Sequence, residues 1–582
     1  MKKEKTEDMV ILINPPNPPR RVSNKDMMGG FGQCYSIECE VKVPPIDIPY
    51  IAAVLRENKI NVKVVECLGD CLSQEQLLEE LKNISETLIC IRTSTPTFLW
   101  DLEIVKKIKE TIKTCVILFG PHVSINPNDI INNPYVDALI LGEPEYVIKN
   151  IALNGFKEVL GVWYKEDGKI IKNKTGVFIE DLDALPFPSW DLLPYKNYTV
   201  GHLMPRQHPT LFMQTSRGCP FACSYCPYPL AQGMKYRKRS SRNVLDEIAY
   251  LINKFDVKNI IIRDPEFTLD KNRVIEICEG LITANYGLVW RCETRVDTLD
   301  ETLIELMRSA GCIGINMGIE SKSEKVCKNV GRAPLNEAHT KNIIKKCREL
   351  GIHTFCFFII GLPGDNIKSA LETIEYSIDL KPNISQFTVA TPYMNTQLHK
   401  WALDNNFIDG LSLNEISGYE AMMRNEELSS NEIQLLRDGA QSILDTIEKT
   451  RVKTEEEELT DNKALISIIM DLYFSKYYSK GIRRVVIYGT MGISIPKLKK
   501  RGFEILAIVD ERHEGKMLCK NRILSLPFIK LFKPEAILVS PFKNTSNLRK
   551  QMKDEILIIE FLKGIKKISI LIIKKLLQYK II

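Results

Sequence analysis

The chain has 582 residues, more than one hydrophobic core usually supports, so we expect two to four domains. Its 44% apolar and 26% charged residues are typical of a soluble globular protein. A net charge of +6 is small for this length, and no run of Lys and Arg is interleaved with aromatic residues, so no nucleic-acid partner is expected. No signal segment opens the sequence, and no uncharged apolar run approaches the roughly 20 residues of a membrane span. We therefore expect a cytoplasmic protein.

Residues 1–155 alternate short apolar runs with helical patterns, which predicts a doubly wound parallel α/β sheet. The predicted strands are Met9–Ile13, Val62–Val65, Leu88–Ile91, Val116–Phe119 and Ala138–Leu141. The predicted helices are Ile48–Glu57, Glu75–Leu81 with a capping box of Ser73 and Gln76, Leu99–Ile112 and Tyr146–Leu153. Such sheets bind ligands beyond the carboxyl ends of their strands, where this chain carries the loops NPPNPPRR, ECLGD, RTSTPT, GPHVS and GEPE.

Residues 156–205 are predicted to form a hairpin followed by a proline-rich linker. Val159–Tyr164 and Lys169–Lys172 alternate apolar and polar residues around the turn Asp167-Gly168. The segment LDALPFPSWDLLPYKNY then carries prolines that break helices and favour an extended path between two domains.

Residues 206–395 repeat a strand, loop and helix pattern, which predicts a partial (β/α)6 barrel. Its predicted strands are Leu211–Thr215, Asn259–Arg263, Val289–Cys292, Gly314–Gly318, Thr354–Gly361 and Gln386–Ala390. Its predicted helices are Arg242–Phe255, Arg273–Ala284, Glu301–Ser309, Leu335–Glu349 and Lys368–Leu380. The active face of such a barrel lies at the carboxyl ends of its strands.

Residues 396–465 are predicted to be a helical extension that ends in the charged run KTEEEELTDNK, and residues 466–582 a Rossmann-like domain. Strands at Arg484–Tyr488, Ile505–Val509 and Ala536–Val539 surround a glycine turn, which is the layout of a nucleotide-binding unit. Its candidate nucleotide-binding residues are Gly489, Gly492 and Asp510. The match is incomplete, because G-x-x-G replaces G-x-G-x-x-G and Pro496 interrupts the helix, so a docking or oligomerisation domain is the alternative. It resembles small Rossmann-like domains of sugar-modifying enzymes.

The last 18 residues, IKKISILIIKKLLQYKII, are basic and amphipathic. Such a tail packs on its own domain or contacts an anionic membrane surface. Both interpretations stay open at this point.

The stretch LFMQTSRGCPFACSYCP places three thiols, Cys219, Cys223 and Cys226, directly after an apolar strand. Thiolates spaced C-x3-C-x2-C on a short loop suit three corners of a cubane iron–sulfur cluster, because iron prefers soft ligands. The fourth iron would stay open for a ligand, as in catalytic metal sites. A zinc knuckle would need a fourth ligand nearby, yet the nearest are His208 and Cys278, and a group of buried thiols is the remaining alternative.

With Arg217-Gly218 before the first thiol and Tyr225 before the last, this loop resembles that of the radical S-adenosylmethionine (SAM) enzymes. The segments PPIDIPYIAAVL, GPHVS and LGEPE resemble the cobalamin-binding domain that precedes the radical SAM core in a large family. The resemblance covers roughly residues 8–400. It implies a [4Fe-4S] cluster, SAM and cobalamin as cofactors, a small-molecule substrate, and an external electron donor such as flavodoxin or ferredoxin.

The chain departs from this pattern in one respect. The D-x-H-x-x-G signature that replaces the cobalamin base elsewhere is absent, since the loop after the second strand reads ECLGDCLS. The lower face of the cobalt is therefore unassigned, and His122 in GPHVS is interpreted as a loop histidine without a ligand role. A domain that keeps the fold without the cofactor is the alternative.

The resemblance also implies candidate binding residues. Asp264 and Glu266 would meet the amino group of SAM, and Glu320 with Ser321 would contact its nucleoside or carboxylate. The full implied SAM set is Tyr225, Asp264, Glu266, Glu293, Arg295, Glu320, Ser321, Gly361 and Gly364. For cobalamin it is Gly120, Gly142 and Glu143. Any one of these residues could instead belong to an ordinary turn.

The implied reaction is reductive cleavage of SAM to a 5′-deoxyadenosyl radical, followed by cobalamin-dependent methylation of an unactivated carbon. Rearrangement, cyclisation or oxidation without methyl transfer is the alternative. Methylthiolation is disfavoured, because Cys34, Cys39, Cys67 and Cys71 do not match the second cluster that it requires. A non-catalytic iron–sulfur sensor or scaffold is a further alternative of a different class.

Overall fold

The computed structural model describes residues 9–19, 21–36, 41–84, 87–176, 178–205, 209–409 and 416–450, together with six strands beyond residue 483. It divides into two compact units. The first comprises residues 1–320, 324–358 and 390–424, and the second comprises residues 321–323, 359–389 and 425–582. No helix in the described part of the chain has the length and apolarity to cross a bilayer.

A seven-stranded sheet organises the N-terminal part of the first unit. The first nine strands of the chain are β1 (Val10–Asn14), β2 (Arg21–Asn24), β3 (Gln33–Ser36), β4 (Val62–Glu66), β5 (Leu88–Arg92), β6 (Cys115–Phe119), β7 (Ala138–Ile140), β8 (Val162–Glu166) and β9 (Lys169–Lys172). The sheet order is β4-β1-β5-β6-β7-β8-β9. The five strands from β4 to β7 are parallel, which confirms the predicted sheet, and the β8–β9 hairpin extends it with antiparallel pairing.

Helices connect these strands and cover the sheet. They are α1 (Asp47–Glu57), α2 (Gln74–Leu81), α3 (Phe98–Thr111), α4 (Pro121–Ile125), α5 (Pro127–Ile131) and α6 (Glu145–Asn154). The predicted capping box is present at α2, where the Ser73 side chain accepts from the Gln76 N–H and the Gln76 side chain accepts from the Ser73 N–H. All five residues of β1 are buried, as expected for a parallel strand covered on both faces.

The antiparallel pair β2–β3 was not predicted from the sequence. Its strands have four residues each and follow the proline-rich NPPNPPRR, so the local pattern indicates a loop. Between them lies a turn in which Met28 and Gly29 both have positive φ.

The barrel strands of the first unit follow as predicted. They are β10 (Thr210–Met213), β13 (Asn259–Ile262), β14 (Val289–Arg295), β15 (Cys312–Glu320) and β16 (His353–Ile360). The short strands β11 (Ser216–Arg217) and β12 (Arg237–Lys238) were not predicted and form a separate antiparallel pair. Strands β10, β13, β14, β15 and β16 pair in parallel in this order. The helices are α7 (Tyr228–Gln232), α8 (Ser241–Phe255), α9 (Lys271–Ala284), α10 (Glu301–Ser309), α11 (Glu324–Asn329) and α12 (Glu337–Glu349). Parallel pairing brings the carboxyl ends of these strands to one edge.

The second unit contains α13 (Ile367–Leu380), β17 (Ile384–Val389) and α15 (Ser430–Thr450), while α14 (Gln397–Asp404) belongs to the first. Its C-terminal strands are β18 (Arg484–Tyr488), β19 (Glu504–Val509), β20 (Met517–Leu518), β21 (Asn521–Leu524), β22 (Ala536–Val539) and β23 (Leu557–Glu560). They form one sheet in the order β20-β21-β19-β18-β22-β23, parallel except for β20. Gly489, Gly492, Asp510, the charged run at 453–463 and the tail at 565–582 lie outside the described residues.

Candidate functional site

The three predicted cluster cysteines lie on one loop, residues 218–236, at the carboxyl end of β10. The antiparallel pairing of β11 with β12 closes the base of this loop. Gly218 has φ +81°, and a Cβ there would lie 2.1 Å from the Lys235 carbonyl oxygen, so only glycine fits at the first turn. The Cys219 N–H donates to the Gly233 carbonyl at 3.1 Å. The loop is therefore fixed by its own backbone.

The thiols of Cys219, Cys223 and Cys226 are half-buried and form no disulfide. Burial raises the pKa of Cys219 and Cys226, and backbone N–H groups at Phe221 and Tyr228 oppose this rise. In the described part of the chain, no three His, Cys, Asp or Glu side chains converge on a single-ion site. A cubane cluster takes one thiolate at each of three irons, so its ligands need not share an ion. Three free thiols on one fixed loop are a donor set that fits such a cluster.

Tyr225, between the second and third thiols, contacts a buried ion pair. Its hydroxyl lies 3.4 Å from a terminal guanidinium nitrogen of Arg332, which lies 3.8 Å from a Glu320 carboxylate oxygen. Arg332 also donates to the Gly318 carbonyl oxygen at 2.5 Å. Burial raises the pKa of Glu320, and Arg332 and Tyr225 oppose that rise. Glu320 and Tyr225 are therefore brought together beside the loop through Arg332.

Glu266 and Arg295 are both close enough to Cys219 to interact with it electrostatically. The Glu266 carboxylate accepts from the Arg295 N–H at 2.8 Å and from the Thr298 hydroxyl at 3.1 Å. The Arg295 guanidinium stacks over the Phe221 ring of the cluster loop at 4.1 Å. Two further predicted residues thus belong to the surroundings of the cluster loop.

Asp264 contacts residues of its own chain at the end of β13. Its carboxylate is fully buried and accepts from the Thr215 N–H at 2.6 Å and the Ser216 hydroxyl at 2.7 Å, and Arg273 lies 3.6 Å away. These contacts hold the segment that leads into the cluster loop, and the role of Asp264 toward SAM stays a prediction. Glu293 is likewise engaged, in an ion pair with Arg263.

Three predicted residues, Ser321, Gly361 and Gly364, belong to the second unit. The Gly361 N–H donates to Asp365 at 3.0 Å and the Gly364 N–H donates to Glu426 at 3.1 Å. Both glycines have positive φ and shape a turn within that unit. Their role toward SAM stays a prediction.

The carboxyl edge of the N-terminal sheet offers space for a ligand. Gly142, after β7, has φ +93°, and nothing lies within 4 Å of the position that a Cβ would take. Gly120, after β6, packs so closely on Thr93 that a Cβ would lie 2.4 Å from its carbonyl oxygen. Both glycines line a cavity. The cavity is also lined by residues of the cluster loop and its root, namely Gln214, Arg217, Tyr228, Ala231 and Gln232.

A buried arginine at the end of β5 also lines this cavity. Arg92 donates from Nε to Asp47 at 2.7 Å and from one terminal nitrogen to Asp26 at 2.7 Å. Its other terminal nitrogen has no hydrogen-bond partner among the described residues, although the side chain is buried. A buried donor of this kind needs an acceptor, and the open space at Gly142 leaves room for one. The edge therefore fits a bound cofactor.

Glu143 and His122 at the same edge contact other residues of the protein, although the buried His122 Nε2 has no hydrogen-bond partner among the described residues. Glu143 forms ion pairs with Arg217 at 3.3 Å and Arg237 at 2.8 Å. His122 is buried in α4, where its Nδ1 lies 3.1 Å from the Thr95 hydroxyl and its ring packs on Phe98. Burial lowers its pKa to about 4. His122 is not among the residues that line the cavity, and its lack of a ligand role stays a prediction.

Three arginines at the site were not predicted from the sequence as functional residues: Arg332, Arg237 and Arg92. Arg332 is 107 positions from Tyr225, and no local pattern relates them. Arg237 did carry a signal, because one arginine precedes the cysteine loop and another follows it. Arg92 stands at the end of a predicted buried strand, where a charged residue needs a partner.

Comparisons with known proteins agree with this geometry. The radical SAM superfamily model matches residues 213–377, and the B12-binding domain model matches residues 32–152. An uncharacterized methyltransferase of Pyrococcus horikoshii is 30% identical over 427 residues, covering 72% of this chain and 89% of the relative. The anaerobic magnesium-protoporphyrin IX monomethyl ester cyclase of Rubrivivax gelatinosus is 29% identical over 366 residues, covering 60% of this chain and 64% of the relative.

Among solved structures, the cobalamin-dependent SAM radical enzyme OxsB, with aqua-cobalamin and SAM bound, superposes with a TM-score of 0.59 at 17% identity. The match covers 81% of this chain and 71% of OxsB, and it shows a shared fold. The two domain matches confirm the expected enzyme class and its cofactors, a [4Fe-4S] cluster, SAM and cobalamin. The chain belongs to the radical SAM superfamily, among the members that carry a B12-binding domain.

Proposed function

We propose that this protein methylates an unactivated carbon of a small-molecule substrate in a cobalamin-dependent radical SAM reaction. The observation that carries the proposal is one cavity lined by the carboxyl edge of the N-terminal sheet and by Tyr228, Ala231 and Gln232 of the loop that carries the three thiols. A methyl donor bound at the sheet would then lie beside the loop that holds the radical generator. The methyltransferase relative, which is similar over most of its length, supports the same reaction.

In this proposal Cys219, Cys223 and Cys226 ligate the cluster. The residues proposed for SAM are Tyr225, Glu266, Arg295 and Glu320, and those proposed for cobalamin are Gly120, Gly142 and Arg92. When bound, the cluster with SAM supplies a 5′-deoxyadenosyl radical and cobalamin supplies the methyl group.

The side chains of the protein orient and shield these groups. Arg332 offsets the charge of the buried Glu320 carboxylate, and the Tyr225 hydroxyl lies against the Arg332 guanidinium, so the polar groups beside the loop hold one arrangement. The space at Gly142 would let cobalamin approach the backbone closely, and the unpaired terminal nitrogen of Arg92 would donate a hydrogen bond to it.

A labelling experiment tests the methyl transfer. The protein is reconstituted anaerobically with iron, sulfide and hydroxocobalamin, reduced by flavodoxin or dithionite, and supplied with SAM that carries a deuterated methyl group. The proposal expects S-adenosylhomocysteine to form and the label to leave SAM for cobalamin. Formation of 5′-deoxyadenosine with no S-adenosylhomocysteine would contradict methyl transfer.

A second candidate is cyclisation, rearrangement or oxidation without methyl transfer. The similarity to the Rubrivivax gelatinosus protein favours it, because that relative is a cyclase and matches 60% of this chain. Product mass separates the two candidates, since methylation adds one CH2 group and the alternatives do not.

A further inference from the structure

The loop that carries the three thiols is tied at both ends to one carboxylate. Arg217 ends β11 just before the loop, and Arg237 begins β12 just after it. The Glu143 carboxylate lies 3.3 Å from Arg217 and accepts two bonds from Arg237, at 2.8 and 2.9 Å. Glu143 belongs to the loop after β7, so the N-terminal sheet holds the base of the cluster loop from both sides.

A second carboxylate joins this group of buried charged side chains. Glu145, at the start of α6, accepts from Arg217 at 2.6 Å. Two arginines therefore face two glutamates, and all four side chains are at least nine-tenths buried. We name this group the Glu–Arg clamp: Glu143, Glu145, Arg217 and Arg237. Its charges balance, so removing one carboxylate leaves a buried guanidinium short of its partner.

The remaining hydrogen bonds of the clamp also lead to the loop or the linker. Arg217 donates to Gln214 at 2.8 Å, and Arg237 donates to the Gln232 carbonyl at 2.7 Å and the Ile179 carbonyl at 2.6 Å. The Ile179 N–H donates to Glu143 at 2.6 Å. The clamp is therefore a connected network and not a set of separate surface pairs.

The clamp stands between two positions that the proposed function uses. Glu143 directly follows Gly142, whose open side lines the cavity, and Arg217 stands two residues before Cys219. The buried Glu143–Arg217 ion pair therefore connects the edge of the cavity to the segment that leads to Cys219. A shift at either end must move the other or break the pair, because packed interiors do not deform continuously.

We propose that Glu143 and Glu145 are positioning residues that set the spacing between the cobalamin on the sheet and the cluster on the loop. This inference rests on the proposed function, since it needs both cofactors bound. Glu143 then positions the cluster loop through its ion pairs with Arg217 and Arg237, and does not contact cobalamin directly. The Glu–Arg clamp thereby joins the two proposed binding sites into one reaction centre.

The test compares Glu143→Gln with the wild type and with a matched control. The control is Asp191→Asn, which removes two ion pairs at the surface, with Arg56 at 2.6 Å and with Lys254 at 3.3 Å. Each protein is reconstituted with cluster and cobalamin, and the separation of the reduced cluster from cob(II)alamin is measured by pulsed electron paramagnetic resonance. We expect one narrow distance in the wild type and in Asp191→Asn, and a broadened or shifted distance in Glu143→Gln.

Hydrogen–deuterium exchange provides a second measurement that does not need the cofactors. In Glu143→Gln the amides of residues 216–238 should exchange about tenfold faster, while amides of β13 and β14 keep the wild-type rate. If Glu143→Gln does not fold, Glu145→Gln replaces it, because it leaves both bonds between Glu143 and Arg237 intact. A merely structural role would accelerate exchange throughout the unit and leave the distance in the folded fraction unchanged.

An unchanged distance together with unchanged exchange in the folded variants would overturn the positioning role while leaving the proposed function intact. A wild type that holds neither cluster nor cobalamin after reconstitution would overturn the proposed function, and the positioning role would fall with it. The two failures are therefore distinguishable.

Discussion

Two edges of parallel strands meet at the cavity, and they present different chemistry. The edge of the N-terminal sheet offers backbone and space, at Gly142, while its acids Glu143 and Glu145 are engaged with arginines. The barrel edge offers free thiols on the loop after β10. Cobalamin is bound through its whole surface, whereas a cluster is bound through covalent ligands, so shape suffices at one edge and donor atoms are needed at the other.

The largest effect is expected when donor atoms are removed from the barrel edge. Replacing Cys219, Cys223 and Cys226 by Ala should abolish the iron and sulfide content and the visible absorption of the reconstituted protein, because the loop has no other thiolate. Cobalamin binding should persist, because it depends on the other edge. Cys71→Ala, at an exposed cysteine outside the loop, is the control and should bind a full cluster. Retention of the cluster in the triple variant would refute the assignment.

The buried carboxylate of Asp264 holds the segment at Thr215 and Ser216 that leads into the cluster loop. Asp264→Asn keeps the shape but loses the charge that faces Arg273 and the donors of Thr215 and Ser216, so it should cost about 3–5 kcal/mol of the free energy of unfolding. Denaturant titration of the apoprotein measures this loss.

The control for Asp264 is Asp300→Asn, at an exposed helix cap where asparagine serves equally well. It should change stability by less than about 1 kcal/mol. Equal losses in the two variants would show that the Asp264 carboxylate does not hold the loop.

The N-terminal edge contains a histidine that should affect stability and not cofactor binding. Burial lowers the pKa of His122 from 6.5 to about 4, so below pH 6.5 the unfolded chain binds a proton that the folded chain does not. The stability of the wild type therefore falls as the pH is lowered from 6.5 toward 4, by up to about 3 kcal/mol more than that of His122→Gln. Parallel unfolding titrations at several pH values measure the difference.

Cobalamin affinity gives the complementary readout for His122. It should be the same in His122→Gln and in the wild type, because the ring is engaged with Thr95 and Phe98. Loss of cobalamin from His122→Gln, or a changed cobalt spectrum, would identify His122 as a ligand. Donor atoms would then be needed at both edges.

The smallest change tests shape alone. Gly142→Ala places a methyl group in the open space at φ +93°, which costs about 1–2 kcal/mol of backbone strain and should weaken cobalamin binding about tenfold or more. Gly155→Ala is the control, since Gly155 also has positive φ and free space but does not line the cavity. Equal affinities for hydroxocobalamin in the two variants would contradict the role of Gly142.

Much of this arrangement could be predicted from local sequence, because apolar periodicity and helix caps act over short distances. The Ser73 capping box and the cysteine loop were both predicted from adjacent residues. The contacts of Asp264 with Thr215 and Ser216 were not predicted, because a carboxylate after a strand looks the same in the sequence whether it faces a ligand or its own chain.

The charged contacts between distant segments could not be predicted at all. Glu143 and Arg237 are 94 positions apart, and Arg217 and Glu145 are 72 apart. Each of these residues would be stable at the surface without a partner, so neither its type nor its neighbours reveal the pair. The buried charges that join the two edges are therefore a result of the fold.

The most direct test of the central claim is the amount of 5′-deoxyadenosine formed from SAM by the reconstituted, reduced protein. We expect the wild type to form 5′-deoxyadenosine and the variant in which Cys219, Cys223 and Cys226 are replaced by Ala to form none. No 5′-deoxyadenosine from a wild type that contains a full cluster, or equal amounts from both proteins, would contradict it.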